Sequence, residues 1–172
     1  QLSQHLASYP VQLIEHRRVK KLEHEQGLQK IELDSGEKLD ADRVIVATGA
    51  KWRELNVPGE REYIGRGVAF CPHCDGPFYK GKKVAVVGGG NSGVEAAIDL
   101  AGIVKDVVLI EYAEELKADK ILVDKLKALP NVTIKTNVKT TQIAGDKQKV
   151  NKLEFEDRAN GQKGEVALDG VF

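Results

Sequence analysis

The chain has 172 residues, enough for one domain or one domain with part of another, and its 41% hydrophobic and 30% charged content is ordinary for a globular protein. Its 26 basic residues are balanced by 26 acidic ones, so there is no phosphate-neutralising excess and nucleic acid is excluded as an expected partner. No apolar run approaches the ~20 residues that span a bilayer, and residues 1–10 are too mixed for a secretory leader; no membrane association and a cytoplasmic protein are expected. The sequence opens on Gln1 and contains no Met, which suggests a piece of a longer chain.

Residues 1 to about 53 read as β-rich edge material. A short apolar strand is predicted at 11–14, alternating strands at 19–25 and 29–33 around Gly27, and a turn at 34–37 leading to Leu39. The basic cluster His16-Arg17-Arg18 and Lys20-Lys21 is followed at once by Glu23 and Glu25 and reads as a solvated face. Val44-Ile45-Val46-Ala47 is a continuous apolar run suited to a buried strand, ended by Thr48-Gly49. The region holds too few apolar residues to stand alone comfortably.

From about residue 80 the pattern becomes β-α-β-α-β. A strand is predicted at 83–87, then a helix at 91–103 with Val94, Ala97, Ile98 and Ala101 on one face. A strand at 107–110 follows, then a helix at 119–129 carrying Leu122, Leu126 and Leu129 on one side and stopped by Pro130, then a strand at 132–134. Three antiparallel strands close the chain at 140–144, 150–155 and 165–168, turned by Gly145-Asp146 and Asn160-Gly161. Strands alternating with helices predict an α/β protein with a parallel sheet, to which the antiparallel strands are added.

Gly88-Gly89-Gly90-Asn91-Ser92-Gly93 fits GxGxxG between a predicted strand and a predicted helix. Gly88 permits a tight turn, Gly90 lets backbone approach a pyrophosphate, and Gly93 lets helix pack on strand. Asn91 and Ser92 open the helix, whose free N–H groups and partial positive charge face an anion. A lone GxGxxG is weak, but Glu111 ends the next strand 23 positions after Gly88, near the expected ~20. A carboxylate there accepts hydrogen bonds from a ribose hydroxyl and repels a 2′-phosphate, and residues 112–116 hold no Arg to welcome one. These features predict a Rossmann-like domain that prefers NADH to NADPH. The plain alternatives are a glycine-rich turn without a ligand and a solvated strand end at Glu111.

The only cysteines form one CxxC, Cys71-Pro72-His73-Cys74, followed by Asp75. Such a pair opens and closes a small disulfide ring with little movement, the thiolate being the reactive form. Asp75, beside the second cysteine, is placed to shuttle a proton. A zinc half-site needs further ligands, and His5, His16 and His24 lie far back in the sequence with no ligand spacing to the pair; no metal is expected, and His73 reads as a spacer that tunes the pair. The pair precedes the dinucleotide strand directly. Thiols do not readily take a hydride from a nicotinamide, and a flavin between the two solves this.

Val46-Ala47-Thr48-Gly49-Ala50, residues 71–76 and residues 86–93 together resemble the low-molecular-weight thioredoxin reductase family. CPHCDGP followed by GGGNSGVEAAIDLAGIV looks more like the flavoprotein subunits of bacterial alkyl hydroperoxide reductases within it. In thioredoxin reductases the cysteines are usually separated by Ala-Thr, and the strand after the fingerprint ends in a basic His-Arg-Arg-type segment. Here that segment is Glu111-Tyr112-Ala113.

The resemblance implies FAD and NADH as cofactors, with electrons flowing from NADH to FAD, to the Cys71/Cys74 disulfide, and on to a peroxiredoxin that reduces hydroperoxides. The peroxiredoxin would be reached through an N-terminal thioredoxin-like domain not in this chain, and the full-length subunit would be a homodimer. By the same mapping Cys74 faces the flavin, Cys71 attacks the next disulfide, Asp75 donates the proton, and Ala47, Thr48 and Gly49 line the FAD site. Residues 1–53 would then be the end of the first half of an FAD-binding domain, 54–169 the NAD-binding domain with its redox pair, and 170–172 the start of the return to the FAD domain. Hinges would lie near residues 56–59 and 169–171. With no first GxGxxG for FAD, the chain alone is expected to bind NADH without holding FAD tightly. The alternatives are an NADPH-dependent thioredoxin reductase and an inactive NADH-binding fragment.

Overall fold

The computed structural model describes residues 6–49 and 52–172; His5, and Ala50 at the end of the Val46–Ala50 motif, lie outside them. The chain divides into two compact units, residues 1–50 and 51–172.

In the first unit, β1 (Val19–Glu25), β2 (Leu28–Leu33) and β3 (Lys38–Ala41) form an antiparallel meander in that order. The β1–β2 loop is the two residues Gln26 and Gly27, both at positive φ (51° and 83°). That is the conformation whose twist matches a two-residue hairpin. Leu33 is the only buried hydrophobic of this unit among the described residues, in keeping with its apolar poverty. Two predicted strands are absent. Residues 11–14 and 44–47 form no strand, and Val11, Leu13, Ile45 and Val46 are exposed, Ile45 by 92%. A strand buried on both faces needs ladder neighbours and covering layers, and no described residue pairs with either segment.

The second unit has three layers. Its centre is a parallel sheet in the order β10-β4-β5-β6, built from β4 (Lys83–Val87), β5 (Asp106–Ile110), β6 (Val132–Lys135) and β10 (Gly170–Val171). Alternation decides which side chain enters which layer. Val84, Val86, Val107 and Leu109 face the helices, packing with Val94, Ala97, Leu100 and Leu126. Ala85, Val108 and Ile110 face the other way, against Val138, Ile143, Leu153 and Val166 of the antiparallel sheet β7 (Val138–Gly145), β8 (Val150–Asp157), β9 (Lys163–Ala167).

The covering helices are α2 (Asn91–Ala101) and α3 (Lys120–Lys127), preceded in the chain by the short α1 (Pro72–Asp75). Both long helices stop short of the predicted ends. Gly102 caps α2 with its N–H on Asp99 O and Leu100 O, and Ala128 caps α3 before Pro130. Residues 55–60 are pinned to this unit. The Glu60 carboxylate, 3% exposed, accepts from Leu55 N (2.8 Å) and Asn56 N (2.7 Å), and Ile143 N donates to Pro58 O (3.0 Å). Gly59 sits at φ 84°, where a Cβ would lie 1.8 Å from Ile143 O.

Candidate dinucleotide and dithiol site

The glycine turn between β4 and α2 has the geometry predicted for its three glycines. Gly88 takes φ 122° as the chain leaves the strand. A Cβ on Gly93 would stand 2.0 Å from Gly88 O, so only glycine lets α2 close on the strand end. Over Gly90, the N-cap of α2, a Cβ would meet nothing within 4 Å. That is the open approach a pyrophosphate needs. The first bond of the helix runs from Val94 N to Gly90 O (3.0 Å). The N–H groups of Asn91, Ser92 and Gly93 are therefore left outside the helical ladder, facing the opening.

Glu111 follows β5 directly and reaches back to this turn. One carboxylate oxygen accepts from Gly89 N, and the other accepts from Ala113 N at 2.7 Å. The acidic residue is thus held in place by backbone donors on both sides. Lys117 N donates to Gly89 O (2.8 Å), folding the segment after Glu111 over the turn. Asn91 differs from its predicted neighbours in that its side chain is occupied elsewhere. Its Oδ1 accepts from Asp119 N (2.8 Å) and its Nδ2 donates to Asp119 Oδ2 (3.1 Å), tying the start of α2 to the N-cap of α3. Its backbone N–H remains for a ligand. Ser92 is exposed at the mouth of a groove that runs along α2 to Pro72, His73 and Asp99.

Cys71 and Cys74 form a disulfide. Cys71 caps α1, its Sγ accepting from Cys74 N (3.1 Å), and Pro72 occupies the first helical turn, where its fixed φ suits the start of a helix. Gly76 seats this element on α2, since a Cβ there would lie 3.1 Å from Leu100 Cδ2. His73 Nε2 stands 3.4 Å from Asp99 Oδ2 on α2. On the other flank both cysteines border a groove of about 580 Å³ that also takes in Trp52, Phe70, Asp75, Phe78 and Tyr79. Trp52 stacks on Phe70 with ring centroids 5.9 Å apart. An aromatic groove against a disulfide suits a flat ring system. Burial, helped by Asp75 and Asp169, pushes the Tyr79 phenol above its usual value of 10.

Ala47, Thr48 and Gly49 are exposed residues of the first unit. No group of three potential metal ligands occurs among the described residues, and no described helix is long and apolar enough to cross a membrane.

Arg158 was not visible as part of this site in the sequence. It lies in the β8–β9 turn, yet its guanidinium stacks on Tyr112, 3.8 Å from the ring centroid, one residue beyond Glu111. Its Nη1 donates to Tyr112 O and to Asn137 Oδ1, so the guanidinium is held by protein acceptors.

Fold and site together define a Rossmann-type α/β unit that carries the Cys71–Cys74 disulfide on the flank of its first long helix. Residues 3–172 match the pyridine nucleotide-disulphide oxidoreductase family, and the chain belongs to it. It is 54% identical over 173 residues to the alkyl hydroperoxide reductase F subunit of Pseudomonas putida, covering 99% of this chain and 33% of that protein. The counterpart of the same name in Escherichia coli (strain K12) is also 54% identical, over 174 residues and the same shares. The chain thus spans about a third of the length of these curated relatives. Among solved structures, thioredoxin reductase of T. acidophilum superposes with a TM-score of 0.74 at 36% identity, over 99% of this chain and 55% of that one. Thioredoxin reductase of Giardia duodenalis gives 0.81 at 28% identity, over 91% and 51%.

Proposed function

We propose that this chain is the nucleotide-binding, dithiol-carrying part of an NADH-dependent, FAD-containing disulfide reductase that feeds a peroxiredoxin. The observation that carries the reading is the glycine turn: a cradle open over Gly90, closed tightly at Gly93, with Glu111 held at its edge on the same unit as the Cys71–Cys74 disulfide. The names of the alkyl hydroperoxide reductase relatives support the hydroperoxide-reductase branch.

The first turn of α2 holds the pyrophosphate through the N–H groups of Asn91, Ser92 and Gly93, and Glu111 accepts from the adenosine ribose. A flavin, when bound, supplies the two-electron link between nicotinamide and disulfide. The Cys71–Cys74 bond takes up the electron pair and opens to a thiol and a thiolate, and Asp75 delivers the proton in the same groove. Cys71 then attacks the disulfide of the next carrier, through which the electrons reach a peroxiredoxin and hydroperoxide. Residues 1–53 contribute Ala47, Thr48 and Gly49 to an FAD domain that the rest of a longer chain completes, in a homodimeric cytoplasmic enzyme.

The test is parallel calorimetric titration of the chain with NADH and NADPH. NADH should bind at least about tenfold more tightly, as expected when a carboxylate meets a ribose hydroxyl in one case and a phosphate in the other, and Glu111→Ala should erase the preference. A preference for NADPH would favour the thioredoxin reductase alternative. Failure of both nucleotides to bind would remove the dinucleotide reading.

A further inference from the structure

Beyond Glu111, three segments far apart in sequence meet at one junction. Val138 N donates to Glu111 O (3.0 Å), Asn137 N donates to Ala113 O (2.7 Å), and Arg158 N donates to Asn137 O (2.9 Å). Asn137 takes φ 57° to make this turn, a conformation rare outside glycine and held here by its bonds. The Arg158 side chain completes the junction: Nη1 donates to Tyr112 O and to Asn137 Oδ1, each at 2.9 Å, and the guanidinium plane covers the Tyr112 ring. An arginine on an exposed turn is ordinarily solvated or paired with a carboxylate. This one serves two acceptors through one nitrogen while its plane lies over a ring face, and that stack is what a planar guanidinium gives and an ammonium does not.

The residue it grips is flanked by the two groups that matter to the nucleotide. On one side is the Glu111 carboxylate. On the other is Ala113 N, which orients that carboxylate at 2.7 Å. We propose that Arg158 is a positioning residue for the adenosine end of the dinucleotide: by clamping Tyr112 it fixes Ala113 N–H and so the aim of Glu111 across the glycine turn. The proposal rests on the dinucleotide reading above and extends it to a residue 46 positions further along the chain.

The experiment is calorimetric titration of the full chain with ADP-ribose, for wild type, Arg158→Ala, Arg158→Lys, Glu111→Ala and the double variant Arg158→Ala/Glu111→Ala. Thermal melts accompany each variant. Arg158→Ala should weaken ADP-ribose by about fivefold, the worth of one hydrogen bond of typical strength, and Arg158→Lys should recover little of it. In the Glu111→Ala background the same change should cost less than about twofold, because a residue acting through Glu111 has nothing left to position. Unchanged binding in both Arg158 variants would overturn the proposal, as would losses from Arg158→Ala and Glu111→Ala that simply multiply. If Arg158→Ala melts early, Arg158→Lys decides alone: wild-type affinity in it overturns the proposal, because the lysine lacks the planar stack on Tyr112. A wild-type chain that ignores ADP-ribose would instead overturn the dinucleotide reading on which the proposal stands.

Discussion

Gly90 and Gly93 lie three residues apart and make opposite predictions. A methyl group on Gly90 enters open space at an ordinary backbone conformation (φ −81°, ψ −179°). Gly90→Ala should therefore melt with wild type while losing most of its NADH affinity, since the methyl occupies the pyrophosphate approach. A methyl on Gly93 collides with a backbone carbonyl at 2.0 Å. Gly93→Ala should lose stability by about 1–3 kcal/mol, the usual cost of overpacking, and lose the nucleotide with it; equal melting temperatures for the two variants would contradict this account. Tyr79 tests the disulfide groove. Its phenol is raised by burial first and by Asp75 and Asp169 next, so the neutral form is favoured in the native protein. The stability it lends is fully present below the unfolded value near 10 and is lost as pH rises through the higher native one. Phenolate absorbance should show one tyrosine ionising at higher pH in the folded protein than in denaturant, and Tyr79→Phe should remove that component. The glycines, Glu111 and the cysteine pair were legible in the sequence because each carries its chemistry at a fixed spacing. Arg158 was not, since its bearing on Glu111 depends on the β8–β9 turn meeting the end of β5.

Among the elements, α2 carries the most. It buries Val94, Ala97 and Leu100, seats Gly76 beneath the disulfide, and starts at the glycine turn. Leu100→Ala should cost about 2–5 kcal/mol, read by denaturant unfolding. The Asn91–Asp119 hook that joins α2 to α3 should be worth about 1 kcal/mol, so Asn91→Ala lowers the melting temperature by a few degrees without abolishing nucleotide binding. The two long helices were read from the spacing of their apolar residues and the strands between them as short apolar runs, while which strand residue enters which core is given by the fold. The misses have physical causes. Residues 44–47 have the composition of a buried strand, but composition does not provide the neighbouring strands, and Ile45 and Val46 stand exposed. Gly170–Val171 is too short to show a period, yet it joins the parallel sheet beside β4 because Gly170 lets Tyr79 pack against its Cα.

At the scale of the whole molecule, most of the burial lies in the second unit, which houses both the glycine turn and the disulfide, whereas the first buries Leu33 among its described residues. The stretch near 56–59, expected as a hinge, is bonded to β7 through Pro58 O and to the Glu60 carboxylate through Asn56 N, which Leu55 N joins. Its two backbone donors would lose a buried carboxylate in Glu60→Ala, at a cost of about 1–3 kcal/mol. A chain covering a third of its curated relatives can still show whether the nucleotide sits where the geometry places it. The most direct measurement is a backbone-amide NMR titration of the oxidised chain with NADH. Shifts should concentrate at residues 88–93 and 111–113, with β1–β3 unmoved. Shifts confined to other surfaces, with the amides of Gly90 to Gly93 and Ala113 untouched, would contradict the assignment of the glycine turn and Glu111 as the dinucleotide site.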